Sequence, residues 1–411
     1  MNRRSFLRAA TGAAGATLLR PDGVWGNTST PADLLLRGAL VYDGTGAPPF
    51  EADVAVAADR IAAVGRKLGV AGEVFDLRGL ALAPGFIDIH SHTDRALLVN
   101  ARADSKVRQG VTTEVAGQDG SSMGPWTDER LARIQSEFRD AWGIRIDFRD
   151  LGGFFTRLEA QPPAVNLASM VGAGTVRGYV IGEEDRPATD EELARMVALV
   201  EQALQQGACG LSSGLEYVPG ASATREELVA LAVPLRGTGL PYASHIRNEE
   251  DGLFGAIEEA LHVGRRAGVP VQVSHLKAQG RRNWWKAAPA LGMLESARAA
   301  GVDVAFDCYP YVAYSTDLGG LFPVWARLGG TSAFLARLED AALRPRIEAA
   351  VRDKVERLGS WDAVQITQAR SPALSWATGR RLGELAAERR TEPYELLVWI
   401  IREDRDRTGM V

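Results

Sequence analysis

Five histidines occur in the 411 residues, at positions 90, 92, 245, 262 and 275. Two of them sit in Phe86-Ile-Asp-Ile-His-Ser-His-Thr-Asp94, an apolar run that reads as a short strand ending in His-x-His. Side chains alternate along a strand, so His90 and His92 project to one side, about 7 Å apart. Two imidazoles offered together at a strand end form half of a metal site. His-x-His alone equally describes two exposed or hydrogen-bonded histidines, and the other histidines decide the matter. His245 ends the strand-like run Tyr242-Ala-Ser-His245, and His275 ends Val269-Pro-Val-Gln-Val-Ser-His275. Four histidines on three strand ends that share one rim point to a bound metal ion. His262 falls in a helical stretch and reads as a packing or surface residue.

The elements that must position these residues are legible as a repeating pattern. After Pro84, apolar strand-like runs alternate with amphipathic helices. Thr189-x-x-Glu192 is a capping box that opens one helix, with Leu193, Met196, Val197, Val200 and Leu204 on its apolar face. The strand Cys209–Leu215 follows. Thr224-x-x-Glu227 opens the next helix, which leads to Tyr242–His245. Another helix, carrying Leu253, Ile257 and Leu261 and ended by Gly268, leads to Val269–His275, and a further one to Val302–Phe306. Earlier strands are Phe86–His90, Val111–Val115 and Asn166–Val171. The alternation predicts an α/β fold, a (β/α)8 barrel spanning residues 83–411, with its site at the C-terminal ends of the strands. Residues 33–82 read instead as a small β-sandwich module of short strands without chemistry of its own.

Composition narrows the function classes. Hydrophobic residues make up 46% and charged residues 24%, as in an ordinary globular enzyme, and the net charge of −5 is spread without a basic block, which argues against nucleic acid as a partner. Cys209 and Cys308 lie in apolar strand-like runs and read as small buried residues, with no disulfide framework. Residues 1–26 read as a twin-arginine signal peptide: Arg3-Arg4-Ser5-Phe6-Leu7 precedes a small-residue apolar run too short to anchor in a bilayer. The expected location is periplasmic or exported, with no membrane association after cleavage.

Taken together, these motifs resemble the amidohydrolase superfamily and, within it, the N-acyl-D-amino-acid deacylase (D-aminoacylase) family. The resemblance covers nearly the whole chain after residue 33. It rests on Ala83-Pro-Gly-Phe-Ile-Asp-Ile-His-Ser-His-Thr-Asp94, Gly110-Val-Thr-Thr113, Leu211-Ser-Ser-Gly-Leu-Glu-Tyr-Val-Pro-Gly220, Ser244-His-Ile-Arg-Asn-Glu249, Val273-Ser-His-Leu-Lys277 and Asp307-Cys-Tyr-Pro-Tyr311. The fourth-strand signature and the Arg-Asn-Glu segment are its specific parts.

The resemblance implies one or two zinc ions, with His245 and His275 at the tighter position and His90 and His92 completing the second. Where the family has a metal-site cysteine after the second strand, this chain has Asp119 in Gly117-Gln-Asp-Gly120. A carboxylate is a competent zinc ligand and can bridge, though it is harder than thiolate; Asp119 also suits an Asx turn between glycines. No lysine stands on the fourth strand to serve as the carboxylated bridge of hydantoinases. The family's carboxylate pocket maps onto Lys277, Tyr309 and Ser315.

The expected reaction is hydrolysis of an N-acyl-D-amino acid, a small molecule, to a carboxylate and a D-amino acid. The alternatives are another amidohydrolase, such as a D- or isoaspartyl dipeptidase, and a catalytically inactive truncated fragment that retains metal. Residues 316–380 resemble the family's insertion over the site. No eighth strand, with the aspartate the family uses as acid and base, is legible before Val411, so the barrel reads as incomplete.

Overall fold

Alternating apolar residues in the first part of the chain build a sheet rather than a barrel. The computed structural model describes residues 25–26, 32–69 and 71–411, and the twin-arginine pattern lies outside them. Strands β1 (Trp25–Gly26), β2 (Ala32–Val41), β3 (Phe50–Ala57), β4 (Arg60–Gly65) and β5 (Ala71–Asp76) pair in the order β1-β4-β3-β2-β5, and β6 (Ala81–Leu82) also pairs with β2. β1 therefore uses the last two residues of the segment read as a leader. Ala39, Val41, Ala52 and Val54 form one small apolar cluster of the sheet, and Leu35, Ala55 and Ala63 form another. The β2–β3 register shifts between Leu36 and Ala39, and Gly38 sits in that irregularity at φ +73°, where a Cβ would lie 2.7 Å from the Arg78 side chain. Its freed amide donates to Asp53 Oδ1 at 2.8 Å, and Leu68 donates to Asp53 Oδ2 at 3.1 Å. The contacts divide the chain into this unit and a second that runs from Ile87 to Val411.

The second unit carries the barrel. Its strands are β7 (Phe86–Asp88), β8 (Val111–Ala116), β9 (Asn166–Ser169), β10 (Val171–Gly172), β11 (Leu211–Gly214), β12 (Tyr242–His245), β13 (Val271–Val273) and β14 (Val304–Phe306). β9 and β10 are one strand interrupted at Met170, whose amide bonds Ala116 on one side while Val171 bonds Gly210 on the other. Seven barrel strands result, in the predicted order, and the pairings from β8 onward are parallel. Ile87 and Ile89 at the β7 end and Phe306 at the β14 end are exposed.

The helices form where the sequence caps them. Thr189 and Glu192 close a reciprocal capping box on Asp190–Gln205, which buries Met196, Val200 and Ala203. Thr224 caps Arg225–Ala232 through the Glu227 amide, but the Glu227 side chain does not reciprocate. It is drawn instead into a buried pair with Arg177, at 2.6 and 2.7 Å, because an Arg that is 1% exposed needs a counter-charge more than an exposed helix end needs a second cap. Gly268, at φ +70°, ends Leu253–Ala267 as a left-handed cap. His262 lies on that helix and is partly buried.

Both cysteines correct the sequence reading. The strands are only three to four residues long there, so Cys209 precedes β11 and is partly buried, while Cys308 follows β14 and is exposed.

After β14 comes a region with its own core. β15 (Thr316–Asp317), β16 (Ile366–Gln368) and β17 (Gly409–Met410) form an antiparallel sheet with β17 in the middle. Phe334, Ile347, Val351, Leu385, Tyr394, Leu397 and Ile401 pack together beneath it, each such burial contributing about 1.5–3 kcal/mol. The helices Leu382–Arg389 and Pro393–Asp404 thus share one core with residues from Leu318 to Ile366. Among the described residues no helix is long and apolar enough to cross a membrane.

Candidate metal centre

The site is built on the ends of five barrel strands. His90 and His92 follow β7, Asp119 follows β8, His245 ends β12, His275 follows β13 and Asp307 follows β14. The carboxylate of Asp119 stands among four imidazoles. Its Oδ1 lies 3.5 Å from His90 Nε2 and 3.5 Å from His275 Nε2; its Oδ2 lies 3.2 Å from His92 Nε2 and 3.8 Å from His245 Nδ1. The rings of His90 and His92 are 5.4 Å apart, those of His90 and His275 4.9 Å, and those of His245 and His275 4.5 Å. All five predicted ligands are therefore brought together. His92 is the exposed member, at 60% of its side chain.

The loop that delivers Asp119 is held by backbone contact that only small residues allow. Asp119 takes a left-handed backbone, φ +54°, which aspartate tolerates better than most side chains. Its carbonyl oxygen would lie 2.1 Å from a Cβ at Gly214, the last residue of β11. Ser212, two residues earlier, donates to the Gly117 carbonyl at 2.6 Å and accepts from the Gly120 amide at 3.1 Å. The Ser-Ser-Gly signature of the fourth strand thus serves the second-strand loop. Below the site, the fully buried Glu114 accepts from Ser91 at 2.8 Å and pairs with Lys106 at 2.9 Å, and Lys106 also reaches Asp88 at 2.5 Å. This network ties β7 to β8 just beneath His90.

Three of the imidazoles each face a further carboxylate. His90 Nδ1 lies 3.1 Å from Asp307, whose other contacts are the His275 amide and the Gln272 side chain, both at 2.8 Å. His275 Nδ1 lies 2.9 Å from Glu249, and His245 Nε2 lies 3.6 Å from Glu216. Sequence reading placed Asp307 and Glu249 in motifs but gave them no role. The signal was their position one or a few residues beyond a strand end, which cannot by itself say which carboxylate reaches which ring.

Electrostatics follow this arrangement. Burial opposes charge on His90, but Asp119 and Asp307 outweigh it and push its pKa up to about 9. Burial likewise opposes charge on His245, and Asp119 and Glu216 bring it up to about 10. Burial would raise the Asp119 carboxyl, yet the four histidines around it hold it well below the usual range. Glu249, also opposed by burial, is held at about 2 by His275 and Lys277.

These residues fit a divalent cation. Both nitrogens of His90, both of His245 and Oδ1 of Asp119 are buried and make no well-aligned hydrogen bond, an unusual cluster of unsatisfied groups that a shared cation would satisfy. Among the described residues, His90, Asp119 and His275 form one set with ligand atoms close enough to share an ion, and His245, Glu249 and His275 form another. Nitrogen and carboxylate donors of this kind suit a borderline divalent metal.

The predicted substrate residues are not equally close. Lys277 Nζ lies 2.5 Å from Glu249 and 2.9 Å from His275 Nδ1, and 5.5 Å from the Tyr309 ring centre. The Tyr309 hydroxyl is buried without a partner. Ser315 donates to the Met410 carbonyl at 3.2 Å and so belongs to the β15–β17 pairing.

Comparison with known proteins gives this geometry its context. A D-aminoacylase of Alcaligenes xylosoxydans xylosoxydans is 41% identical over 291 residues, 71% of this chain and 60% of its own length, so the chain spans less than two thirds of that curated relative. A crystal structure of D-aminoacylase superposes with a TM-score of 0.75 at 34% identity, over 92% of this chain and 71% of the other. An N-acyl-D-glutamate deacylase of Bordetella bronchiseptica, in complex with zinc and a phosphonate that mimics the tetrahedral intermediate, gives 0.75 at 31% identity, over 93% and 71%. The model of the amidohydrolase family matches residues 73–356, most of the module-to-barrel chain that carries the cluster. With His-x-His, both single histidines and their strand order in place, the chain belongs to the amidohydrolase family.

Proposed function

We propose that this protein is a zinc-dependent hydrolase of the amide bond in N-acyl-D-amino acids, releasing a carboxylate and a D-amino acid. The observation that carries the reading is the Asp119 carboxylate standing among four imidazoles at the mouth of the strands. The deacylase relatives supply the substrate class. His90, His92, Asp119, His245 and His275 would hold one or two zinc ions. Zinc at such a site lowers the pKa of a water molecule and polarises the scissile carbonyl.

The chain's own residues do the rest. Asp307, Glu249 and Glu216 orient the imidazoles from behind, and outer partners of this kind typically govern metal affinity. Lys277 offers an ammonium to the substrate carboxylate, and the unpartnered Tyr309 hydroxyl offers it a hydrogen bond. Ser315, engaged with Met410, is the weaker third contact. The exposed His92 faces the open side, from which a substrate arrives.

The test is hydrolysis of N-acetyl-D-leucine, N-acetyl-D-aspartate and N-acetyl-D-glutamate beside their L forms and a D-dipeptide, with metal analysis of the same sample. D-selective release of acetate, abolished by a chelator and restored by zinc, is the expected result. Bound zinc with no turnover of any N-acyl-D-amino acid would defeat the reading. We also propose export through the twin-arginine segment; replacing Arg3 and Arg4 by lysine should leave the protein in the cytoplasm, and unchanged export would refute that.

A further inference from the structure

Three polar atoms meet in a triangle behind the metal cluster. Glu249 Oε1 is 2.5 Å from Lys277 Nζ, and both are 2.9 Å from His275 Nδ1. A neutral imidazole carries one ring proton, so Nδ1 either accepts from the ammonium or donates to the carboxylate, never both. The choice at Nδ1 is tied to the other nitrogen. When Nδ1 accepts from Lys277, the proton is on Nε2 and points at Asp119 Oδ1, 3.5 Å away. When Nε2 holds a cation, the proton is on Nδ1 and Glu249 is its acceptor. Lys277 then loses one of its two partners, and the ring stays neutral in both arrangements.

We infer that Glu249 is a positioning residue that couples the two halves of the site: it turns His275 Nε2 toward the metal and, in doing so, releases the Lys277 ammonium from His275 for an anionic substrate group. Several features support this. Glu249 is 4% exposed, so its carboxylate is committed to these partners. Its backbone is held as well: its carbonyl accepts from the Gln279 amide at 2.8 Å, and the next residue, Glu250, pairs with Lys354 and, at 3.4 Å, with Arg357 on the helix Arg344–Leu358. His275 has a positive φ of 35°, uncommon for histidine, which marks a backbone held by its surroundings. The coupling rests on the proposed function only in giving Lys277 a substrate carboxylate to bind.

The test uses metal-stripped protein and two readouts that need no turnover: zinc affinity by competition with a chromophoric chelator, and acylation of Lys277 by an acetyl succinimide ester, measured by peptide mass spectrometry against the exposed Lys67. In the wild type, zinc should raise Lys277 labelling about three- to tenfold, the effect of losing one hydrogen bond. Glu249→Gln keeps an acceptor for Nδ1–H but removes the ion pair, so labelling without zinc should start higher than in the wild type and still rise when zinc takes the His275 bond from Lys277. Glu249→Ala should weaken zinc by about 10–100-fold, and Glu249→Gln by less. Thermal unfolding confirms that each variant is folded, and the near-isosteric Gln variant carries the test if Ala is not. Labelling of the wild type indifferent to zinc, or both variants binding zinc within about twofold of wild type, overturns the inference. Labelling and affinity as expected, in a protein that hydrolyses no N-acyl-D-amino acid, overturns the functional proposal alone.

Discussion

Two carboxylates, one in each unit of this chain, stand in contrast. In the N-terminal sheet, Asp53 accepts from the Gly38 and Leu68 amides, and both its oxygens are satisfied. In the barrel, Asp119 faces four imidazoles, two of which, His90 and His245, have both nitrogens unsatisfied, and its Oδ1 makes no aligned hydrogen bond. Both are carboxylates taken out of water. The first repairs a local break in a β-ladder and has no capacity left. The second is part of an incomplete polar cluster, and incomplete clusters of metal-binding donors in a well-packed protein are where ligands belong. An unsatisfied oxygen together with surrounding imidazoles, rather than burial or charge alone, sets Asp119 apart from Asp53.

That contrast can be broken experimentally. The largest effect is expected from Asp119→Ala, which removes the group common to four imidazoles: zinc affinity, measured by chelator competition, should fall by more than about 100-fold, beyond the loss typical of an outer partner. Gly214→Ala would place a methyl 2.1 Å from the Asp119 carbonyl and push the loop away, lowering zinc affinity by about tenfold or more while leaving every ligand in place. Retention of wild-type affinity would show that the loop yields freely.

The pH dependence sharpens the same point. In the metal-free protein His90 is held up to about 9 and His245 up to about 10, against an ordinary 6.5. Groups raised in this way add stability that is fully present below pH 6.5 and lost as pH climbs through 9 to 10. Metal must displace these protons, so zinc affinity should rise with pH over the same window, by about tenfold per unit for each proton released. Melting temperature and chelator competition across pH 6–10 should therefore run in opposite directions, and parallel trends would contradict the arrangement.

Asp53→Ala should do the reverse of Asp119→Ala. It orphans two amides at a cost of about 1–3 kcal/mol each, visible in denaturant unfolding, and leaves zinc affinity unchanged. The smallest effect concerns Asp406, a third carboxylate with an unsatisfied oxygen but no imidazole near it. Burial first, then Asp317, push it up to about 7 from an ordinary 3.8, against the pull of Arg327. Its contribution favours the folded state at low pH and is lost as pH rises from about 4 to 7. Asp406→Asn should therefore raise stability at pH 8 by ~1 kcal/mol, with little change at pH 4 and no change in zinc affinity.

Much of this molecule was determined by its sequence. The βα alternation, the seven barrel strands and the four strand-end histidines follow from periodicity, caps and residue type, because each is a local property of a short segment, whereas Asp119 was legible only through the family resemblance. The Thr189 capping box is local in the same way, and it formed as read. Departures came where a distant partner prevailed. Glu227 left its cap for Arg177, Ser315 gained a hydrogen bond to the Met410 carbonyl that no local pattern announces, and Cys308 emerged at the surface because β14 stops at Phe306. Only the tertiary structure decided which carboxylate stands behind which imidazole. Asp307 and Glu249 reach His90 and His275 from other strands, at separations in the chain that no spacing rule encodes. Hydrogen bonds of about 3 Å depend on how strands stagger around a barrel, and that stagger is set by the packing of the whole unit rather than by any one segment.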